Sequence, residues 1–170
     1  MGTKKIDIEF YDNTIVNNLN DKDLIAEISK NGKKLLKVFY VIDFADQAKD
    51  VIAAGDAAFA MYGVTRSGAK KIIVDDGFIS LYTSNKVEIC KGILAHEYGH
   101  YVDGLEGKEF TKDFKGNLMA DVSADKRGAE ATTKRTIINS LEYLKYYFES
   151  LNNEKYILTI GMLNYRLEKL

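Results

Sequence analysis

Apolar residues recur along the chain with two different periods, which predicts a protein of mixed α+β class. Residues 5–10 alternate between apolar and polar side chains, as a half-buried strand does. Residues 34–42 are dense in β-branched and aromatic side chains, and residues 71–74 form a short apolar run, so both are predicted strands. Residues 78–82 follow a turn sequence and are expected to be extended or irregular.

Two segments in the first half of the chain are predicted to be helical. Residues 21–29 are amphipathic, and Asn31 and Gly32 follow them as a helix-terminating pair. Residues 43–62 carry apolar or small side chains at spacings of four and three, which is typical of one helix face. Gly63 would end this second helix.

A third predicted helix covers residues 87–102. Asn85 and Glu88 have the spacing of a capping box at its start, and Gly104 follows its end. A polar loop is expected after it, and another helix is expected to begin near Asn117.

The last part of the chain carries two apolar stripes at helical spacing, separated by Asn152 and Asn153. We interpret them as two helices that form a core-facing hairpin. The alternative is a stripe that binds a partner helix or a second copy of the chain. The stripes consist of Ile137, Leu141, Leu144, Phe148 and Leu151, then Tyr156, Ile160, Leu163, Leu167 and Leu170.

The third helix contains the sequence His-Glu-Tyr-Gly-His, which has metal-ligand spacing. His96 and His100 are the only histidines in the chain, and positions i and i+4 of a helix lie on one face. Both rings can therefore reach one Zn²⁺ ion, with Glu97 placed to act on a water molecule there. The pattern could arise by chance on a solvated helix, but its flanks are apolar, and buried polar side chains need partners.

A catalytic zinc site usually has three protein ligands, so the chain must supply another one. Asp121 and Asp125 are also i and i+4 on a predicted helix, and small residues at 124, 128 and 129 would let that helix approach closely. One carboxylate can bind the metal while the other accepts a ring N–H from a ligating histidine. The alternative is an acidic, solvated helix face.

Together, the sequence HEYGH and the later D-x-x-A-D-x-x-G-A segment at 121–129 resemble the zincin metallopeptidases. The resemblance is to the gluzincin-like branch, and nearest to the small bacterial and phage enzymes of ImmA/IrrE type. It implies a minimal zincin-like domain, in which a small mixed sheet packs on the active-site helix and a C-terminal helical region follows.

The resemblance also implies a role for each matching residue. His96 and His100 correspond to zinc ligands, Glu97 to the catalytic base, Asp121 to the third ligand and Asp125 to the acid that supports a histidine. The family usually has glutamate where this chain has Asp121. An aspartate is shorter, so either the two helices lie closer together or Asp125 is the ligand instead.

A metzincin-like pattern is the alternative zincin arrangement. It requires a glycine where this chain has Asp103 and a last ligand where it has Glu106, while Gly104 stands one place late. In this arrangement Asp103 or Glu106 would be the third ligand.

These features predict a zinc-dependent peptidase that hydrolyses a protein or peptide substrate with a metal-activated water and Glu97 as general base. A tyrosine or arginine would stabilise the oxyanion, and residues 72–80 are expected to offer an edge strand to the substrate. The alternative function is a zinc-stabilised, non-catalytic regulatory or interaction module that uses the C-terminal hairpin.

Composition narrows the context further. A chain of 170 residues predicts one domain, 1–170, and a net charge of −1 argues against nucleic acid as a partner. No apolar run is long enough for a membrane span, and the N-terminus has no secretory h-region. The single cysteine, Cys90, is expected to be a packed thiol, so a cytoplasmic location is predicted.

Overall fold

A mixed five-stranded sheet and six helices make up the described part of the chain, which confirms the α+β class. The computed structural model describes residues 5–11, 22–47, 59–64 and 68–170. The strands are β1 (Ile6–Phe10), β2 (Lys22–Lys30), β3 (Lys33–Val41), β4 (Ala60–Val64) and β5 (Lys70–Val74). Their order in the sheet is β1-β2-β3-β5-β4, with only β3 and β5 parallel. Among the described strands, β4 therefore forms one edge of the sheet.

The predicted helix at residues 21–29 is wrong, because this segment is the strand β2. Asn31 and Gly32 both have positive φ, 55° and 77°, and they connect β2 to β3 as a two-residue hairpin turn. Asn-Gly is the pair that such turns favour, since both central residues need positive φ. The same pair also follows helices, and here it marks the hairpin.

The single helix predicted for residues 43–62 is also wrong at its described C-terminal end. The described residues contain one helical turn, α1 (Phe44–Gln47), and then β4 after the gap. Residues 48–58 of this prediction lie outside the described residues. All of β4 pairs with β5, from Ala60 opposite Val74 to Val64 opposite Lys70, so Gly63 lies inside a strand. Pairing with a neighbouring strand outweighs the local helical spacing there.

The segment after β5 is a helix, α2 (Asp76–Thr83), where residues 78–82 were predicted to be extended or irregular. Asp75 is its N-cap, and the Asp75 side chain accepts a hydrogen bond from the Phe78 N–H at 2.9 Å. Phe78, Leu81 and Tyr82 then face the core together. The acidic turn sequence is therefore a helix start.

The rest of the chain is helical. The helix α3 begins after Lys86 without a side-chain cap, so the predicted capping box at Asn85 is wrong, and Gly104 lies in its last turn. Asp113 caps α4 by accepting the Gly116 N–H at 2.8 Å. None of the described helices has the length and apolar character needed to cross a membrane. The bounds are α3 (Val87–Leu105), α4 (Phe114–Ala131), α5 (Lys134–Ser150), a 3₁₀ turn (Glu154–Tyr156) and α6 (Ile157–Lys169).

The helix α3 lies between the sheet and the last three helices. One side of α3 contributes Leu94 and Tyr98 to the core that includes the inner face of the sheet. Its other side contributes Ala95 to a second cluster, with Ile137, Leu141, Phe148 and Leu163 of α5 and α6. The predicted core-facing hairpin is therefore confirmed, and the motif helix is held from both sides.

Candidate metal centre

The two histidines point their Nε2 atoms at a common point. His96 and His100 lie one turn apart on α3, and their Nε2 atoms are 3.1 Å apart. The His96 side chain is largely buried, with 12% of its surface exposed, and that of His100 is 26% exposed. The site therefore lies close to the protein surface and is partly open to solvent.

Asp121 completes a triangle of ligand atoms. Its Oδ1 lies 3.2 Å from the Nε2 of His96 and 3.2 Å from that of His100. Atoms that bind one tetrahedral Zn²⁺ at about 2.0–2.1 Å are about 3.3 Å apart. Three neighbouring positions of an octahedral ion with bonds of about 2.1 Å are about 3.0 Å apart. The residues present therefore fit a divalent ion, and two imidazoles with one carboxylate are a set that both Zn²⁺ and Fe²⁺ accept.

Asp125 lies behind His96 and is not one of these ligand atoms. Its Oδ1 is 2.7 Å from Nδ1 of His96, and its side chain is 1% exposed. A carboxylate at this distance accepts a hydrogen bond from Nδ1–H, so Nε2 is the ring nitrogen directed at the triangle. The structure thus brings His96, His100 and Asp121 together and places Asp125 as the support of one ring.

Arg166 is a site residue that the sequence analysis missed. Its Nε lies 2.8 Å from Oδ2 of Asp125 and its Nη2 lies 2.9 Å from Oδ1, so one guanidinium holds both carboxylate oxygens. Arg166 comes from α6, four residues after the buried Met162. That spacing was the available signal, because a charged residue on the inward face of a helix requires a partner.

The charges at the site shift the pKa of each titratable partner. Burial raises the pKa of Asp125, but Arg166 and His96 outweigh it and lower this pKa to about 2. Burial also raises the pKa of Asp121, whereas hydrogen bonds from His100 and His96 lower it well below its usual value. Burial and Arg166 lower the pKa of His96. The carboxylates of Asp125 and Asp121 raise this pKa by more than that, so that it lies at about 10. A proton therefore competes with a metal ion for His96.

Glu97 lies beside the triangle and is anchored to the sheet. Its Oε1 accepts the backbone N–H of Tyr62 in β4 at 2.7 Å, and its Oε2 lies 3.6 Å from Nε2 of His96. The Glu97 side chain is buried, and it supplies none of the three ligand atoms of the triangle. One carboxylate oxygen is thus fixed by the backbone while the other faces the ligand atoms.

Asp103 and Glu106, the candidate third ligands of the metzincin-like alternative, are both paired with an arginine. Arg127 of α4 donates to Oδ1 of Asp103 at 3.3 Å and to Oε1 of Glu106 at 2.6 Å. Neither carboxylate supplies one of the three ligand atoms of the triangle. The expectation that Asp103 or Glu106 supplies the third ligand is therefore wrong, and both instead link α3 to α4.

The two ligand-bearing helices cross in close contact. A Cβ atom added to Gly99 of α3 would lie 2.1 Å from the carbonyl oxygen of Ala124, and one added to Gly128 of α4 would lie 2.6 Å from that of Ala95. Contacts this short leave no room for a methyl group. The small residues predicted at 124 and 128 lie at this crossing, whereas Ala129 packs towards the second core cluster.

A cleft of about 670 Å³ opens over the ligand atoms and Glu97. The strand β4 forms one wall. Part of its lining is apolar and consists of Phe59, Ile93, Leu141, Leu144 and Met162, and the cleft is also lined by Lys108, Phe110, Lys112 and Phe114. The ligand triangle therefore lies within a groove that is lined by β4 of the sheet.

The predicted edge strand at residues 72–80 is wrong. The strand β5 lies between β3 and β4, and residues after Asp75 form α2. The edge strand beside the site is β4 instead, in the part of the chain predicted to be helical.

Comparisons with protein-family models, with curated proteins and with solved structures gave no match. The resemblance to zincins therefore rests on the motif residues themselves.

Proposed function

We propose that this protein is a zinc-dependent peptidase that cuts a peptide bond in a protein or peptide substrate. The observation that carries the proposal is the triangle of His96, His100 and Asp121, with the Glu97 carboxylate beside it and a groove in front of it. A buried carboxylate next to an open ligand set is not needed for metal binding alone. It is the arrangement that hydrolysis requires.

Bound at the triangle, Zn²⁺ would lower the pKa of a water molecule and polarise the carbonyl group to be attacked. Glu97 would accept the proton of that water on Oε2, the oxygen that faces the ligand atoms, and then pass it to the leaving amine. The Tyr62 N–H holds the other oxygen, so the carboxylate keeps its orientation during both transfers. Asp125 and Arg166 keep the His96 ring in place.

The groove favours an extended peptide chain as substrate. The Tyr62 N–H donates to Glu97 and therefore points away from β5, and alternate residues of an antiparallel strand share that direction. The backbone of Ala60 thus also faces the groove, where an extended peptide can hydrogen-bond to it. The apolar part of the lining, which includes Ile93 and Leu144, would accept a large apolar side chain of the substrate.

Substitution of the base tests the peptidase proposal. Glu97→Gln keeps the size of the side chain and removes the proton acceptor. We expect it to bind zinc like the parent and to cleave a quenched fluorescent peptide library about 10²- to 10⁴-fold more slowly. Glu88→Gln, at an exposed position on the same helix, is the matched control and should cleave like the parent. Equal cleavage rates for Glu97→Gln and the parent would refute the mechanism.

Exposed apolar side chains favour a second candidate function, a zinc-stabilised module that associates through its C-terminal hairpin. Tyr146 is 61% exposed, Ile157 is 68% exposed and Leu158 is 45% exposed. This alternative predicts bound zinc, no cleavage by either the parent or Glu97→Gln, and concentration-dependent association in sedimentation experiments. Ile157→Lys should then abolish the association, whereas a monomeric, active parent would rule the alternative out.

A further inference from the structure

The crossing of α3 and α4 is built from two reciprocal contacts between a glycine and an alanine. Gly99 of α3 lies against the backbone of Ala124, and Gly128 of α4 lies against the backbone of Ala95. Both alanines are fully buried. In each contact the two atoms closest to an added Cβ are backbone atoms, which cannot move aside as a flexible side chain can, and at Gly128 the Cδ1 atom of Ile137 follows at 3.0 Å.

These contacts are adjacent in sequence to the residues of the metal centre. Ala95 and Gly99 each precede a histidine of the triangle, and Ala124 precedes Asp125. Asp121 lies one turn before Ala124 on the same helix. The distance between the two helices therefore directly sets the distance between the Asp121 carboxylate and the two imidazoles.

The length of the side chain that supplies the third ligand must match the separation between α3 and α4. A glutamate side chain is longer than an aspartate by one C–C bond of about 1.5 Å. Metal–ligand distances tolerate deviations of only about 0.2 Å. We propose that Gly99 and Gly128 hold α3 and α4 at the separation at which an aspartate at position 121, and not the longer glutamate, reaches the metal.

This inference rests on the metal site of the proposed function but not on peptidase activity. A methyl group at position 99 would lie 2.1 Å from the Ala124 oxygen, so α4 would have to retreat by about 1 Å to restore a normal contact. That shift exceeds the tolerance of the Asp121 bond. It is close to the extra reach of a glutamate.

The test is a cycle of three variants with metal affinity as its readout. Zn²⁺ affinity would be measured by competition with a chromophoric chelator, and coordination geometry by the visible absorption of the Co²⁺-loaded protein. Gly99→Ala and Asp121→Glu should each weaken zinc binding by roughly tenfold or more. The double variant Gly99→Ala/Asp121→Glu should bind at least roughly tenfold more tightly than Gly99→Ala alone, with the parent's Co²⁺ spectrum.

Gly161→Ala is the matched control, because a Cβ added to Gly161 of α6 would meet no atom of another residue within 4 Å beyond its own stretch of helix. It should bind zinc like the parent. If Gly99→Ala does not fold, as judged by circular dichroism, Gly128→Ala replaces it in the cycle, and Asp121→Glu alone remains decisive. A parent that binds no metal would refute the metal site itself. A parent that binds zinc, with Asp121→Glu binding equally well or a folded double variant that recovers nothing, would overturn the role of the glycines.

Discussion

Arg166 holds Asp125 by two hydrogen bonds across forty-one residues of sequence. This pair fixes the carboxylate that in turn holds Nδ1 of His96. The helix α6 thereby determines the orientation of the His96 ring on α3, although Arg166 is not one of the three candidate ligand residues. We therefore expect the stability of α6 and the affinity of the candidate site for metal to be linked.

Arg166→Met should weaken zinc binding by about 10- to 100-fold, because the Asp125 carboxylate loses the group that orients it. The metal-free variant should also lose roughly 3–5 kcal/mol of unfolding free energy, as expected when one partner of a buried ion pair is removed. Chelator competition and urea denaturation measure the two effects. Arg135→Met, at an exposed position on α5, is the control. Unchanged zinc affinity in Arg166→Met would contradict this linkage.

The ligand set predicts about one metal ion per chain in protein purified without added zinc, measured by plasma mass spectrometry. His100→Ala and Asp121→Ala should each lose most of it. Asp125→Ala should retain binding that is about 10- to 100-fold weaker, because Asp125 acts through His96. Asp103→Asn should keep the metal, since Asp103 pairs with Arg127. Stoichiometric metal in His100→Ala would refute the site.

Zinc affinity should rise with pH across the neutral range. The pKa of His96 is raised to about 10 in the metal-free protein, so its Nε2 carries a proton below that pH, and zinc must displace this proton. Affinity should therefore increase by about tenfold per pH unit between pH 6 and 9, and calorimetry in buffers of different ionisation enthalpy should detect the released proton. Asp125→Asn removes a charge that raises this pKa and should flatten the dependence. A parent whose affinity is independent of pH would contradict this assignment.

The same shifts set the acid stability of the metal-free protein. The pKa of Asp125 is lowered to about 2 and that of Asp121 is also lowered, so both stabilise the fold above their unfolded-state pKa near 3.8. That contribution should disappear as pH falls from about 4 towards 2. Denaturation curves of Asp125→Asn should lose part of this dependence, and identical curves for variant and parent would refute it.

The apolar part of the groove lining predicts a preference in cleavage. Leu144→Phe would fill part of the space beside this lining, so cleavage of peptides with a large apolar side chain beside the cut should fall by about tenfold or more relative to peptides with alanine there. Library cleavage followed by mass spectrometry measures the ratio. Leu151→Phe, exposed at the end of the same helix, should leave it unchanged. A parallel fall for both peptide classes would argue against a specificity pocket.

The sequence predicted the ligand-bearing helices well because their signals are local. His96 and His100 share a face by helical spacing alone, and Asp121 and Asp125 repeat that spacing on the next helix. Arg166 was not predicted because its significance comes from a contact with Asp125, and helical periodicity does not specify which distant residue a helix meets.

The strands next to the site were harder to predict for a related reason. Asn31 and Gly32 follow helices as well as hairpins, so the residues alone did not separate the two for β2. In β4, Ala60 and Gly63 are small and have weak strand preference, and the segment becomes a strand by pairing with β5. Because β4 was predicted to be helical, the edge strand was assigned to residues 72–80 instead.

The burial of Cys90 leaves this chain without an accessible thiol. Cys90 is the single cysteine, it is fully buried, and burial raises the pKa of its thiol to about 12. Such a thiol reacts slowly with alkylating reagents, because the thiolate is the reactive form. A cysteine introduced at Lys112, an exposed residue beside the groove, would therefore take up a fluorophore or spin label selectively. The arrival of a peptide in the groove could then be followed spectroscopically with all native residues of the metal centre intact.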